Sequence, residues 1–550
     1  MEESSSISGT DSFSGRKALA LFGPGILLLA WFLPALFGAG FSWDDRQVLF
    51  ENPAIRDLDV LSLFSHGYWA WHGDPPMFRP LASLSLSLDL RIFGPDPLWL
   101  HRSTLLLHGL SCLAMAWALE GLVRGVLPLA FLLFYLHPVG AEQAFWISGR
   151  SGVLMYLFLG LGLGLGIRGS REGGRGGLLP SLFFLFLASL SREDGLLGFA
   201  LLFVLLRRER RLGFALTGLP FLLAWLGLRV FALGRFLGGG GDLLRGASLW
   251  ERLQAGADWF AHALGMLLLL EPPRILSAGI PPTGWMRIFL PLFCFVLVFA
   301  FVRRSPRVSR LALFWGLLAS LPFLRLLPLA EGLAGRYAFV LLPPIALGLG
   351  YAWSRLRQPP TWLLFSPLLL LPWTWKQWKT IAREDRAYRQ VLEVDPGDRR
   401  ARSLLANALE SQGRMDQALA AYREMTRRFP RDPKGWVNLG NLLLRLGRRE
   451  EGMGVLERTC ARFPRHALAW LSLGRARYTS RNWVGAAAAF ERALALSPRL
   501  GQAARYLCRS RLRLGQWKKA EAALRAARRI DPGHPDLPRL ARKLLLPRAK

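Results

Sequence analysis

Five prolines near the end of the chain, Pro396, Pro430, Pro464, Pro498 and Pro532, fall 34 residues apart. A period that long and that regular leaves few choices. Each unit must be one supersecondary element that hides its apolar face against the next. Other positions keep the same step. Trp436, Leu439 and Gly440 recur as Trp470, Leu473 and Gly474, small residues return at Ala418, Ala486 and Ala520, and an aromatic ring returns at Tyr422 and Phe490. A small residue where a bulky one is expected lets two helices approach closely, so each unit reads as helix–turn–helix.

These are the marks of the tetratricopeptide repeat. The register predicts four units at 399–432, 433–466, 467–500 and 501–534, with a capping helix after Pro535. Such an array performs no chemistry. It offers a groove to peptides or neighbouring proteins, and the many Arg residues here suit an acidic ligand.

Composition explains the rest of the chain. Hydrophobic residues make up 52% of it, yet the formal net charge is +32. One soluble globule rarely combines the two, whereas an apolar part joined to a basic part does. No nucleic-acid-binding signature accompanies the charge, so nucleic acid is not expected as a partner. Cys112, Cys294, Cys460 and Cys508 show no C-x-x-C spacing, and neither a disulfide framework nor a metal knuckle is indicated.

Residues 1–17 are polar and read as a cytoplasmic tail. From Ala18 onward, apolar runs long enough to cross a bilayer recur to Trp375. Crossings are predicted near 18–40, 98–121, 125–144, 151–167, 178–190, 195–206, 212–233, 286–302, 311–329, 337–354 and 361–375, about eleven in all. The first is too long for a signal-peptide core. Arg-rich connections at 168–175, 207–211, 303–310 and 355–357 all fall on one side of this topology, the cytoplasmic one under the positive-inside rule. The odd number of crossings then places the repeats outside the cytoplasm. Two outer connections are long, 41–97 and 235–285. The first holds an amphipathic stretch at 61–71, and the second a short re-entrant or interfacial segment at 260–270. Residues 376–398 read as a linker helix. The expected architecture is all-α: a polytopic membrane bundle over 18–375, then an α-solenoid over 399–550.

Ionisable residues crowd the outer edge of this topology. Asp44 and Asp45 follow the first crossing. Arg79, His101 and His108 come next, then His137, Glu142 and Arg150, then Arg192, Glu193 and Asp194, and last Glu331 and Arg336. Each has an ordinary alternative. Carboxylates cap helix ends, Arg snorkels to headgroups, His sits satisfied in cores, and His137-Pro138 suits a helix end. Snorkelling would populate both faces, however, and ionisable groups at membrane depth usually serve function.

A carboxylate pair beside several Arg at the bilayer edge fits a lipid-phosphate donor. Arg binds phosphate bidentately. A carboxylate takes the proton of an attacking hydroxyl, and the departing phosphate needs cationic stabilisation rather than an acid. A single displacement inverts the anomeric centre. Asp44 and Asp45 are adjacent, so their side chains diverge and only one need face the acceptor.

At these residues the chain resembles the transmembrane-and-tetratricopeptide O-mannosyltransferases and their bacterial relatives. The resemblance rests on F-S-W-D-D-R-Q-V-L-F-E-N-P-A-I (41–55), F-R-P-L (78–81), F-G-P-D-P-L-W-L-H (93–101), L-L-L-H (105–108) and H-P-V-G-A-E-Q-A-F-W-I-S-G-R (137–150). It is fainter at S-R-E-D (191–194) and G-R-Y-A-F (335–339). It implies a GT-C fold, a polyprenyl-phosphate sugar donor, a protein or glycan acceptor, extracytoplasmic catalysis and no metal or cofactor. The first-loop acid role falls on Asp44, with Asp45 second. Donor-phosphate or substrate binding falls on Arg79, His101, His137, Glu142, Arg150, Arg192, Glu193 and Arg336. Two departures bear on the donor site. Arg192-Glu193 stands where the family commonly has Lys-Glu, and the acid of the family's Glu-Arg-x-x-Tyr is missing before Arg336.

Two other readings use the same features. A non-catalytic membrane scaffold would need only the repeats. A lipid-linked glycan ligase or polymerase would place its chemistry in a large late outer loop rather than the first. The Arg-, Gly- and Ala-rich, Lys-poor composition suits a GC-rich bacterial genome, hence a plasma membrane with the repeats on its periplasmic side; an endoplasmic-reticulum location would use the same topology.

Overall fold

The computed structural model describes residues 15–41, 44–68, 77–171, 177–206, 208–234, 248, 260–269, 308–320, 338–355, 361–498, 500–530 and 536–545. These residues form helices and no strand. The chain divides into two compact units, Met1–Asp395 and Pro396–Lys550.

The first unit begins with α1 (Gly15–Phe37), α2 (Pro53–Asp57), α3 (Val60–Ser65) and α4 (Pro80–Phe93). There follow α5 (Pro97–Glu120), α6 (Leu127–Leu136), α7 (Ala141–Phe145), α8 (Arg150–Arg171), α9 (Leu178–Ser191), α10 (Leu197–Leu205) and α11 (Arg208–Leu233). Among the described residues four helices are long and apolar enough to cross a membrane: Ala20–Phe37, Pro97–Glu120, Arg150–Ser170 and Arg208–Leu233. Shorter apolar helices lie beside them, at Leu178–Ser191 and Phe339–Ser354 among others. The predicted crossing at 286–302 and most of the 235–285 connection lie outside the described residues.

Glycines on α8 set the packing. A Cβ on Gly160 would meet the Ala114 backbone of α5 at 2.6 Å, and one on Gly162 would meet the Ser181 carbonyl of α9 at 3.1 Å. Small residues permit such approach where lipid offers no hydrophobic drive. Ser181 also donates to the Gly162 carbonyl at 2.6 Å.

The helices run between two chemically different ends. At one, Arg168 donates to the Trp117 carbonyl at 2.9 Å, Arg210 donates to the Gly169 carbonyl at 3.0 Å, and Trp353 covers Gly125. Arg-rich connections therefore gather there. The opposite end carries the acids and the remaining Arg residues described below.

Several elements differ from the sequence reading. The crossing expected at 125–144 is broken. At about 1.5 Å per residue, the ten residues of α6 reach only about half the hydrocarbon thickness. Pro138 ends the helix, having no N–H to continue it. The freed groups are re-satisfied: Thr374 donates to the Leu136 carbonyl, and His137 Nδ1 accepts from the Val139 N–H at 3.3 Å. His137-Pro138 is thus a break inside a crossing, not an outer turn. The first outer connection is helical where a loop was expected. α4 buries Ala82, Ser83, Leu86 and Asp89, a helical spacing that its Leu/Ser alternation disguises. The linker at 376–398 is two helices, Leu371–Ile381 and Glu384–Val394, joined through extended Arg383. Glu384 and Asp385 open the second, where the helix dipole favours acids.

The second unit is the solenoid. Its helix pairs are Arg399–Ser411 with Met415–Arg428, Pro433–Arg445 with Arg449–Arg462, Ala467–Thr479 with Trp483–Leu496, and Gly501–Arg513 with Trp517–Ile530, and Asp536–Leu545 closes the end. Ala418, Ala486, Ala520 and Phe490 are fully buried. A Cβ on Gly474 would sit 2.6 Å from the Phe490 ring, so that position admits no side chain. The repeated prolines have a partner too. Trp436 Nε1 donates to the Pro430 carbonyl at 3.1 Å, and Trp470 repeats this with Pro464 at 3.0 Å. Turns with positive φ recur at the repeat step, at Gly413, Gly447, Arg481 and Gly515.

Candidate active site

The turn joining α7 to α8, residues 146–149, together with the first residues of α8, is the hub. Asp44 Oδ1 accepts from Trp146 Nε1 at 2.9 Å and from Ser148 Oγ at 2.5 Å. Asp45 Oδ1 accepts from the Ser148 N–H at 2.8 Å. One serine therefore holds both acids, on different sides of itself. Asp45 is fully buried, while Asp44 is half-buried. Tyr68 donates from its hydroxyl to the Ser148 carbonyl at 3.0 Å, fixing the turn from the first outer connection. Burial, aided by the nearby Asp44, pushes the Tyr68 phenol well above its ordinary value, so it stays a donor.

His101 and Gly40 set the approach to the acids. The Gly40 carbonyl can only accept, so His101 Nε2 donates to it at 2.9 Å, four residues ahead of Asp44. His101 is buried and positions the chain; it is not on an open surface. His108 is deeper still, buried and stacked on Tyr135 with ring centroids 5.6 Å apart. His137 donates from Nε2 to the Leu267 carbonyl at 3.0 Å, so it ties the broken crossing to the helical stretch 260–267.

Ser151 and Gly152 extend the hub to the cationic side. Arg79 donates to Ser151 Oγ at 3.3 Å and lies 3.7 Å from Glu193 Oε2. Arg229 donates to Glu193 Oε1 at 3.0 Å. Arg192 pairs with Asp194 at 2.8 Å, and its Nη1 lies within 3.4 Å of where a Cβ on Gly152 would stand. Two guanidinium groups thus share the single Glu193 carboxylate. Burial works against ionising Glu193, but Arg79 and Arg229 outweigh it and hold the carboxyl below the usual glutamate range. Sequence reasoning missed Arg229. It lies near the end of an apolar helix, where snorkelling was the default reading, and only the fold brings it to Glu193.

Arg150 has a different place. Its side chain is fully buried and pairs with Asp89. It donates to Thr104 Oγ1 at 2.7 Å, to the Leu100 carbonyl at 3.2 Å and to Ser85 Oγ at 3.2 Å. These partners engage both terminal nitrogens and leave Nε without one, so Arg150 braces the start of α8 and the hub before it. Glu142 is buried in α7. Glu331 and Arg336 lie outside the described residues.

The arrangement offers a partly accessible carboxylate, Asp44, held by two donors, at a bundle end where three guanidinium groups, Arg79, Arg192 and Arg229, also face two carboxylates, Glu193 and Asp194. Among the described residues no group of His, Cys, Asp and Glu is arranged to hold a metal ion.

Comparison with known proteins identifies the repeats and finds relatives for part of the chain. Tetratricopeptide repeat families match at 386–433 and 437–501, and again at 477–544. The human protein O-mannosyl-transferase TMTC1 is 29% identical over 183 residues, 30% of this chain and 21% of that protein. The mouse protein of the same name is 30% identical, covering 30% of this chain and 19% of its own. The match thus spans about a fifth of the length of these relatives. Among solved structures, a thermophilic tetratricopeptide-repeat protein of Thermus thermophilus is 25% identical, covers 33% of this chain and 99% of its own, and has a TM-score of 0.27. The chain therefore ends in tetratricopeptide repeats, and its homologues include proteins named as protein O-mannosyl-transferases.

Proposed function

We propose that this chain is an integral-membrane glycosyltransferase of GT-C type. It moves a hexosyl unit, mannosyl by analogy with the relatives' name, from a polyprenyl phosphate to a hydroxyl of a protein or glycan. Asp44 is the base. It is the partly accessible member of the pair, and the two donors on its Oδ1 fix the carboxylate plane. The acceptor hydroxyl gives its proton to Asp44 as its oxygen attacks the anomeric carbon. The bond to the phosphate oxygen breaks on the opposite side, so the centre inverts. The phosphate leaves as an anion, and the guanidinium groups of Arg79, Arg192 and Arg229 supply its counter-charge. Asp45, buried against the Ser148 N–H, positions the turn. No metal or cofactor enters this scheme.

The proposal places the acid end of the bundle on the extracytoplasmic side of a bacterial plasma membrane, with the repeats on the same side binding a protein partner or the acceptor. The observation that carries it is the Asp44–Ser148–Asp45 arrangement. Sugar transfer by purified chain, from a panel of radiolabelled polyprenyl-phosphate sugars, tests it. Asp44→Asn should lower transfer by about 10²–10⁴-fold. Wild-type rates in both Asp44→Asn and Asp45→Asn would refute it.

A further inference from the structure

Arg102 stands apart from the guanidinium groups that serve the acid end of the bundle. Arg79, Arg150, Arg192 and Arg229 each meet a carboxylate there, whereas Arg102 meets none among the described residues. It is nonetheless held in one place. Its Nε donates to the Trp31 carbonyl of α1 at 3.2 Å. Its guanidinium carbon lies 4.0 Å from the centre of the Trp31 ring and 4.7 Å from that of Trp99. The two indoles meet edge to face at 5.4 Å, and Phe93 stacks on Trp99 with the ring planes 1° apart. A guanidinium fixed over aromatic faces is an oriented group, not a loose charge. No described residue accepts from its Nη1 or Nη2, the edge with which Arg grips a phosphate bidentately.

The surroundings define what that edge meets. Trp31 is 48% exposed, and Leu27 and Leu28, one turn before it on α1, are exposed as well. An apolar exposed face on a membrane-crossing helix belongs to the bilayer. Trp373 and Trp375 are exposed too, and the Trp375 ring meets Phe37 at the end of α1 at 5.0 Å. Exposed Trp gathers at the level of the lipid headgroups, which puts Arg102 at that depth. His101, its neighbour on α5, turns inward to the Gly40 carbonyl, so Arg102 takes the side away from Asp44. A cation with no acid of its own attracts a headgroup of net negative charge, whereas a zwitterionic headgroup brings a second cation. A soluble anion gains nothing from the exposed indole, but a glycerophospholipid lays its glycerol and upper acyl carbons on it. We propose that Arg102, Trp31 and Trp99 bind the phosphate diester of an anionic phospholipid in the leaflet at this end. Such a lipid would clamp α1 to α5. The site needs only the membrane-crossing helices and stands whether or not the chain transfers a sugar.

Native mass spectrometry of the full chain in detergent tests this, by titration with dioleoylphosphatidylglycerol and, separately, dioleoylphosphatidylcholine. The wild type should bind the first phosphatidylglycerol molecule more tightly than the first phosphatidylcholine. Arg102→Gln should weaken that step by about tenfold, as loss of a charged hydrogen-bond donor predicts. Trp99→Leu should weaken it by about threefold. Arg91→Gln, which removes an exposed charge at the same end, should leave it unchanged, and all three variants should keep the wild-type circular dichroism spectrum. Equal binding of the two lipids by the wild type overturns the proposal, and this comparison stands even if a variant fails to fold. Phosphatidylglycerol binding that survives both Arg102→Gln and Trp99→Leu overturns it, as does a loss of equal size in Arg91→Gln. Displacement of the lipid by sn-glycerol 3-phosphate at equal concentration would mean a site for soluble anions. Tighter binding of a polyprenyl monophosphate, lost in Arg102→Gln, would give the site to the donor instead.

Discussion

Asp44 and Asp45 show how neighbours in sequence part in role once the backbone is placed. Both bond to Ser148, but only Asp44 retains exposure. The pair was legible in the sequence as two acids opening the first outer connection; which member keeps exposure was not, because that depends on a turn a hundred residues away. Arg150 teaches the converse. Spacing at the outer edge suggested a phosphate ligand, and burial assigns it to Asp89. Removing one partner of a buried pair strands the other charge. Arg150→Met or Asp89→Asn should therefore cost about 3–5 kcal/mol, measured as loss of the folded, monodisperse species on denaturant titration. Glu193 carries a pH signature. Its carboxyl is depressed in the folded state, so its contribution is complete above the unfolded value near 4.3 and is lost as pH falls through the lower folded value. Thermal midpoints between roughly pH 5 and 3 should fall in the wild type and flatten in Glu193→Gln. Equal slopes in the two proteins would show that Arg79 and Arg229 do not stabilise the carboxylate.

Elements were legible where a period or a long apolar run announced them. The repeats follow their register throughout, and the long crossings α1, α5, α8 and α11 fall where hydropathy placed them. The broken crossing at His137 and the helix α4 were not readable. One depends on Thr374 and the 260–267 stretch to satisfy its open backbone, and the other hides its face behind alternating Leu and Ser. One signal was present and unused. Tyr388 lies 34 residues before Tyr422, is fully buried, and sits in Glu384–Val394, while the repeat family match begins at 386. The stretch taken as a linker thus keeps the register of a second repeat helix. The turns of the array carry their own test. Three of the four positive-φ positions are Gly, and the fourth is Arg481 at φ 61°. A side chain in that region costs about 1–2 kcal/mol. Arg481→Gly should stabilise the array by about 1 kcal/mol, once the greater freedom of unfolded glycine is offset. A lower thermal midpoint in that variant would show that Arg481 makes compensating contacts.

At the scale of the whole molecule, two units with separate cores follow separate physics. The first is built for lipid, with small residues between helices and Arg at both ends, paired with acids at only one of them. The second hides its apolar faces by stacking, and its stability sums over neighbouring repeats. A fragment of Pro396–Lys550 should fold without detergent, with a helical spectrum and cooperative unfolding. An aggregated or unfolded fragment would mean that the array depends on the first unit. The division into an apolar part and a basic part was plain from composition, whereas the cluster about Glu193 was not. No spacing rule links residues 79, 193 and 229; only the packing of α4, α9 and α11 together does.

The receptacle around Arg150 also bears on biosynthesis. Ser85, Asp89, Leu100 and Thr104 all precede Arg150 in the chain, and a ribosome delivers the N-terminal end first. When α8 leaves the translocon, every group that will neutralise its guanidinium has already been made. A circular permutant that placed α4 and α5 after α8 would keep every native contact. It would nonetheless expose a bare cation to the bilayer until translation caught up.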